Sequence, residues 1–188
     1  LVLLTVPLFG LRTGMPSIKV VPEGDGSRQG YVQVQDAFGV GAPGALSLVG
    51  PAAAVRVAAE GARADEGIAN VTPVRNGDDG LAVVQAVPTD DPSSPAVGQT
   101  IERLREALPP GVLVGGAVAE NHDLEQALAS RTPLVIGVVL VLGFLLLLLA
   151  VQAPLIAAVG VATNLLATGA AFGVARLVFQ DGYGAGLL

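Results

Sequence analysis

Gly39, Gly41 and Gly44 are the first residues whose types and spacing could carry chemistry, because they match a dinucleotide-binding loop by letter. Such a loop must follow a strand and open a helix, so that backbone N–H groups meet the pyrophosphate. Here a predicted helix precedes the glycines and a predicted strand follows them, which is the reverse order. The pattern therefore indicates a structural loop, and no cofactor is predicted.

His122 is the only histidine, and it lies between carboxylate residues in the segment Glu120-Asn121-His122-Asp123. Adjacent side chains diverge on a helix, so one histidine with such neighbours does not predict a metal site. We interpret the segment as a solvated turn or a helix cap. In that interpretation Asp123 is the N-cap residue and accepts from N–H groups near Glu125.

Two carboxylate pairs, Asp78-Asp79 and Asp90-Asp91, could in principle support acid–base chemistry. Both pairs lie among glycine or proline residues, which is typical of solvated turns. The chain has no cysteine nucleophile, and the Gly-x-Ser-x-Gly motif of serine hydrolases does not occur in it. The sequence therefore does not predict an enzyme.

Small and polar residues recur with helical spacing near the C-terminus. Gly160, Asn164 and Thr168 lie at i, i+4 and i+8 on one stripe, and Gly169 and Gly173 lie one turn apart. Surfaces of this kind let helices approach each other closely in lipid. We expect these residues to pack against other helices; the alternative is that Asn164 and Thr168 line a path for substrate.

The elements that position these residues fall into a charged part and an apolar part. Nine of the ten basic residues and fifteen of the sixteen acidic residues lie between Arg12 and Arg131. Beyond them only Arg176 and Asp181 are charged, and Arg176 is close enough to the end of its helix to reach the membrane interface. The net charge of −6 argues against a nucleic-acid partner, which would need a basic surface.

The charged part has the pattern of an α+β domain. From residue 45 to residue 118 the elements read β-α-β-β-α-β, the ferredoxin-like order, which would place two helices on one face of a four-stranded antiparallel sheet. An Asn-Gly and an Asp-Gly pair predict a hairpin between the two middle strands. The predicted helices are 27–38, 51–64, 97–108 and 123–131, and the predicted strands are 45–49, 68–74, 81–87 and 112–114.

Two uncharged runs, Pro133–Val151 and Pro154–Ala175, are each long enough to span a bilayer. Only Gln152 and Ala153 separate them, so they form a hairpin whose orientation the positive-inside rule does not decide. Arg131 is the last charge before the first span and marks the linker. The predicted domains are a truncated membrane helix (1–11), a soluble domain (12–131), two membrane helices (132–151 and 154–179) and a loop (180–188).

Several motifs resemble the MMPL family of the RND transporter superfamily, and they occur in order along most of the chain. They are Phe38-Gly39-x-Gly41, Gly115-Gly116-Ala117-Val118-Ala119-x-Asn121-x-Asp123, Leu128-Ala129-x-Arg131-x-Pro133-Leu134, Asn164-Leu165-Leu166-Ala167-x-Gly169-Ala170-Ala171-Phe172-Gly173-Val174 and Val178-Phe179-Gln180.

This resemblance implies a piece of the second half of a proton-driven exporter: the second extracytoplasmic porter domain with the eighth and ninth membrane helices. The implied partners are membrane lipids, a lipid, glycolipid or hydrophobic drug as substrate, and the remaining helices and first porter domain of the full-length protein. It also implies a multi-pass protein of the cell (inner) membrane. The Gln152 turn would lie in the cytoplasm. The alternatives are a protein-export member of the superfamily and a membrane-anchored sensor or binding module without transport.

Overall fold

The computed structural model describes residues 2–10 and 17–183. The predicted break at Thr13-Gly14-Met15-Pro16, the two ends of the predicted segment 1–11 and residues 184–188 of the predicted final loop lie outside the described residues. The chain divides into two compact units, one of residues 14–127 and one of residues 1–13 with 128–188.

Six α-helices and five strands occur in the described residues, with short 3-10 turns at Val6–Gly10, Ile18–Val20 and Ala42–Gly44. The helices are α1 (Val2–Thr5), α2 (Gly26–Phe38), α3 (Ala52–Ala64), α4 (Pro95–Ala107), α5 (Ala117–Val151) and α6 (Pro154–Phe179). The strands are β1 (Leu46–Pro51), β2 (Ile68–Val71), β3 (Arg75–Asn76), β4 (Leu81–Pro88) and β5 (Leu113–Gly115).

The strands of the 14–127 unit form one antiparallel sheet in the order β2-β4-β1-β5, and β3 also pairs with β4. Strand residues alternate between the two faces of the sheet. Leu48 of β1 and Val84 of β4 are paired and buried on one face. Val55 of α3 and Ile101 of α4 join the same core, so this unit is α+β as predicted.

The hairpin predicted between the two middle strands is confirmed. Asp79 and Gly80 take positive φ angles of 57° and 73° there, and the N–H of Gly77 donates to the carbonyl of Leu81. The first predicted strand of the pair ends early, because Pro73 has no N–H to donate to a ladder. Pairing resumes at Arg75, as the short strand β3.

The prediction of a separate helix over residues 123–131 was wrong. Helix α5 begins at Ala117, directly after Gly116 ends β5 with a φ of 108°, and continues for 35 residues. Pro133 lies inside it. A proline there removes one hydrogen bond and favours a kink, but the helix continues through it. Pro154 occupies the first turn of α6, where its missing N–H has no intrahelical acceptor.

We predict that Leu48→Ala lowers the free energy of unfolding of the 14–127 unit by about 2–5 kcal/mol, because the Leu48 side chain is fully buried and its removal leaves a cavity in the core. Val57→Ala is the matched control on the exposed side of α3 and should change it by less than about 0.5 kcal/mol. Chemical denaturation of the 188-residue chain in detergent micelles measures both. A Leu48→Ala effect no larger than the control would contradict the assigned core.

Candidate functional site: the membrane-helix packing surface

One face of α6 packs against the described residues at the start of the chain. Gly169, Ala170 and Gly173 are buried there. A Cβ atom at position 173 would lie 1.8 Å from the carbonyl oxygen of Leu4, and one at position 169 would lie 3.0 Å from Cγ2 of Thr5. No side chain fits the first of these gaps, so this approach of two backbones requires glycine at position 173.

Arg176 lies one turn beyond Gly173. Its Nη1 donates to the carbonyl oxygen of Pro7 at 2.7 Å, and its Nε lies 3.6 Å from Oδ2 of Asp181. A guanidinium offers only N–H donors, so a backbone carbonyl oxygen is a suitable partner for it. Sequence reasoning missed this bond. The available signal was a lone arginine near the end of an otherwise uncharged helix.

The other predicted packing residues lie elsewhere on α6. A Cβ atom at position 160 would lie 3.5 Å from Cδ1 of Leu147 in α5, which is ordinary contact. Asn164 and Thr168, one and two turns further along, are exposed. The structure thus does not bring the five predicted residues together. It separates Gly169 and Gly173 from the stripe of Gly160, Asn164 and Thr168, and the packing role of that stripe stays a prediction.

The assignment of Asp123 as an N-cap residue was wrong. Asp123 is the seventh residue of the helix, so its carboxylate cannot cap the N-terminus. It accepts instead from Arg105 of α4, with 2.8 Å between Nη2 and Oδ2. This hydrogen-bonded guanidinium holds the pKa of Asp123 below its ordinary value. Arg131, which was predicted to mark a linker, also lies inside α5 and is exposed.

His122 lies on the same turn as Asp123, but it is a packed residue rather than part of a solvated turn. Its Nε2 is 3.3 Å from Oε1 of Glu102 and 3.1 Å from Nε2 of Gln126. The ring lies against Gly98 of α4, where any Cβ would come within 2.8 Å of Nδ1. Within the described residues, no three histidine, cysteine, aspartate or glutamate side chains are grouped to hold a metal ion.

The prediction of a solvated turn holds for Asp78 and Asp79 but is wrong for Asp91. The Asp91 carboxylate accepts from the Ser93 hydroxyl at 2.6 Å and from the Gln35 amide at 3.0 Å, and Lys19 lies 3.8 Å away. Burial would raise the pKa of Asp91, but these donors outweigh burial and lower it. Burial and the adjacent Asp91 carboxylate raise the pKa of Tyr31 to about 12.

The glycine loop lies beside this carboxylate and has a packing role. A Cβ atom at position 41 would lie 2.0 Å from the carbonyl oxygen of Pro88, and one at position 44 would lie 2.7 Å from Cγ2 of Val118. Gly39 ends α2 with a φ of 102°. Each glycine is therefore explained by backbone conformation or by close approach.

Helices α5 and α6 are both long and apolar enough to cross a membrane. Side chains along α5 such as Leu134, Leu146 and Leu149 are mostly exposed, at 65%, 68% and 74%. An uncovered apolar helix of this length is stable in lipid rather than in water. Fold and packing surface together define a membrane protein that also has an α+β unit. A model described as the MMPL family matches residues 25–187, and the chain belongs to that family.

Similar proteins agree with this membership. The "Heme uptake protein MmpL11" of Mycobacterium tuberculosis (strain H37Rv) is 32% identical over 182 residues, which cover 85% of this chain. The "Mycolic acid-containing lipids exporter MmpL11" of Mycolicibacterium smegmatis is 32% identical over 59% of the chain. The "Membrane protein YdfJ" of Bacillus subtilis is 25% identical over 97% of it. The matches span 18%, 12% and 27% of these relatives' own lengths.

We predict that Gly173→Ala lowers the stability of the unit formed by residues 1–13 with 128–188, the membrane unit, and that Gly173→Leu lowers it further, by about 1–3 kcal/mol or more, because both overpack the contact with Leu4. Gly169→Leu should act in the same direction, and Gly169→Ala should cost less than Gly173→Ala. Thermal unfolding in detergent micelles measures the four variants.

Gly137→Ala in α5 is the matched control, because a Cβ atom there meets nothing within 4 Å. It should leave stability unchanged or raise it slightly, since alanine favours helix more than glycine does. Equal behaviour of Gly137→Ala and Gly173→Ala would show that position 173 faces lipid.

We predict a coupling of about 0.2–1 kcal/mol between Arg105 and Asp123 at pH 7, since both side chains are partly exposed. A double-mutant cycle with Arg105→Gln and Asp123→Asn measures it. The folded pKa of Asp123 is lowered, so this stabilisation is fully present above the unfolded value of about 3.9 and is lost as pH falls through the folded value. Additive single variants at pH 7, or a coupling that does not weaken as pH falls below the unfolded value, would contradict the assignment.

Proposed function

We propose that this chain forms part of a proton-driven MMPL exporter and supplies an extracytoplasmic porter domain with two membrane spans. The substrate class is lipids, glycolipids or hydrophobic drugs. The observation that carries the proposal is the direct continuity of a charged, sheet-containing unit with a membrane-length helix, inside a stretch that matches the MMPL family from residue 25 to residue 187.

The proposed porter domain is ferredoxin-like. Two features support this: the β-α-β-β-α-β order of its main elements and the strand order β2-β4-β1-β5. In that order the first and third long strands, β1 and β4, are neighbours, and β5 adds to the far edge of β1. Helices α3 and α4 both contribute to a core on one face of the sheet.

The names of the similar proteins raise two kinds of cargo, lipids and haem. The two membrane-length apolar helices favour lipid, because they place the protein in the bilayer where lipid substrates reside. The sole histidine does not favour an axial haem ligand, since its Nε2 contacts Glu102 and Gln126 and its Nδ1 edge lies over Gly98. Lipid is therefore the proposed cargo class.

Transport by the full-length protein in proteoliposomes tests the proposal. Fluorescent lipid on the side of the Gln152 turn should move to the other leaflet when a proton gradient is imposed, and a protonophore should abolish the movement. Liposomes without the protein are the matched negative control. Wild-type protein that binds lipid without moving it would favour a sensor or binding module, and movement of unfolded polypeptide instead of lipid would favour a protein exporter.

The proposed topology makes a separate prediction. In intact cells, Asn76→Cys in the soluble unit should react with a membrane-impermeant thiol reagent, and Gln152→Cys should react only after the cells are opened. Both positions are exposed, so accessibility within the fold does not limit labelling. The chain itself has no cysteine to interfere. If Gln152→Cys alone were labelled in intact cells, the orientation would be the opposite of the one proposed.

A further inference from the structure

Helix α2 belongs to the 14–127 unit without contributing to its core. None of its residues is buried, and none belongs to the apolar cluster that contains Leu48 and Ile101. Its partly covered residues, Arg28, Tyr31 and Gln35, are polar and share one face of the helix. Polar contacts, rather than burial of an apolar face, therefore hold α2 to the unit.

The Asp91 carboxylate faces its own loop with one oxygen and the α2 region with the other. Oδ1 accepts from the backbone N–H of Ser93 at 3.0 Å and from the Ser93 hydroxyl at 2.6 Å. Oδ2 accepts from Nε2 of Gln35 at 3.0 Å and lies 3.8 Å from Nζ of Lys19. Burial and the same carboxylate raise the pKa of Tyr31, so the Tyr31 hydroxyl lies beside it as well. Three side chains from the α2 region thus meet at one carboxylate.

Lys19 precedes α2 but is tied to it through Arg28. The Nη1 of Arg28 donates to the carbonyl oxygen of Val21 at 2.8 Å, and its Nη2 donates to Oε1 of Glu23 at 3.1 Å. Residues 17–38 therefore form one piece, the strap. Within the described residues, every hydrogen bond or ion pair between the strap and residues beyond 40 involves Asp91.

The strap is joined to a fixed loop through a glycine that has room to turn. Gly41 is fixed, because a Cβ atom there would overlap the carbonyl oxygen of Pro88. Gly39 has a φ of 102°, and a Cβ atom there would meet nothing within 4 Å. The Gln35 side chain crosses this point, since its Nε2 also donates to the carbonyl oxygen of Val40 at 2.7 Å. Rotation at Gly39 would move the strap without disturbing the packed loop.

We propose that residues 17–38 are a strap that swings open at Gly39 and that the Asp91 carboxylate is the latch that holds it closed. In the open state Lys19, Tyr31 and Gln35 are hydrated, and the sheet with α3 and α4 stays folded because the strap adds nothing to the core. A segment held by a few polar contacts opens far more often than a core that must unfold. The strap lies wholly in the 14–127 unit, so its opening does not depend on the proposed transport.

Hydrogen–deuterium exchange of the purified 188-residue chain in detergent micelles, followed by mass spectrometry, tests the latch. Asp91→Asn should speed exchange of the 26–38 amides by about tenfold or more, because a carboxamide replaces one of the two acceptor oxygens with a donor nitrogen. Gln35→Ala should act in the same direction. Peptides from β1 and α3 should exchange in both variants as they do in the wild type.

Asp90→Asn and Gln33→Ala are the matched controls. Asp90 is the adjacent carboxylate, and its Oδ2 accepts from the Thr89 hydroxyl at 3.3 Å instead of from the strap. Gln33 is exposed on α2. Each control should change exchange of the strap by less than about twofold.

A covalent lock gives a second measurement. Lys19 is the only lysine of the chain, and a carbodiimide joins an amine to a carboxylate without a spacer. It should link Lys19 to Asp91 in the wild type, as detected by mass spectrometry of the joined peptides, and the 26–38 amides of the linked protein should exchange more slowly than those of the unlinked protein.

Three results would overturn the proposal. Equal exchange of the strap in Asp91→Asn and Asp90→Asn would show that Asp91 is not the latch. Exchange that rises equally in the strap and in β1 would show that Asp91 supports the whole unit and that no separate strap exists. Wild-type 26–38 amides that exchange as fast as an unfolded peptide would show that the strap is not closed in solution.

Discussion

The membrane unit depends on the approach of Gly173 to the carbonyl oxygen of Leu4. Lipid tails are as apolar as leucine side chains, so no hydrophobic force holds two helices together within the bilayer. Close van der Waals contact and hydrogen bonds must do so. The absence of a side chain at Gly173 permits the contact, and the bond from Arg176 to the Pro7 carbonyl lies one turn further along the same helix.

The 14–127 unit is stabilised differently, by burial of apolar side chains between one face of a sheet and two helices. Helix α5 combines both kinds of environment, a protein core at its start and lipid further along. Ala119 in its first turn is fully buried in the core of the soluble unit, whereas Leu146 near its other end is mostly exposed and requires lipid. The ion pair of Asp123 with Arg105 and the contact of His122 with Glu102 fix the first turns of this helix on α4.

Periodicity and turn chemistry predicted the sheet unit well, because alternating strands and the Asn-Gly hairpin are local signals. Helix α5 was divided wrongly, since Pro133 and Asp123 resemble a boundary and a cap, and only packing shows that the helix passes through both. The glycines of α6 were predicted as a packing surface, but their partner at Leu4 is 169 residues away and no local signal could find it. The environment of Asp91 was missed for the same reason, because its donor Gln35 is distant in sequence.

Disulfide formation between Thr5→Cys and Gly169→Cys in native membranes tests the packing of α6 most directly. A Cβ atom at position 169 would lie 3.6 Å from Cβ of Thr5, within the range of about 3.5–4.5 Å that disulfides require. Mild oxidation should link this pair efficiently, as detected by mass spectrometry of the joined peptides, and should link Thr5→Cys with Thr168→Cys poorly. Absence of the first link, or equal linking of the two pairs, would contradict the assigned packing surface.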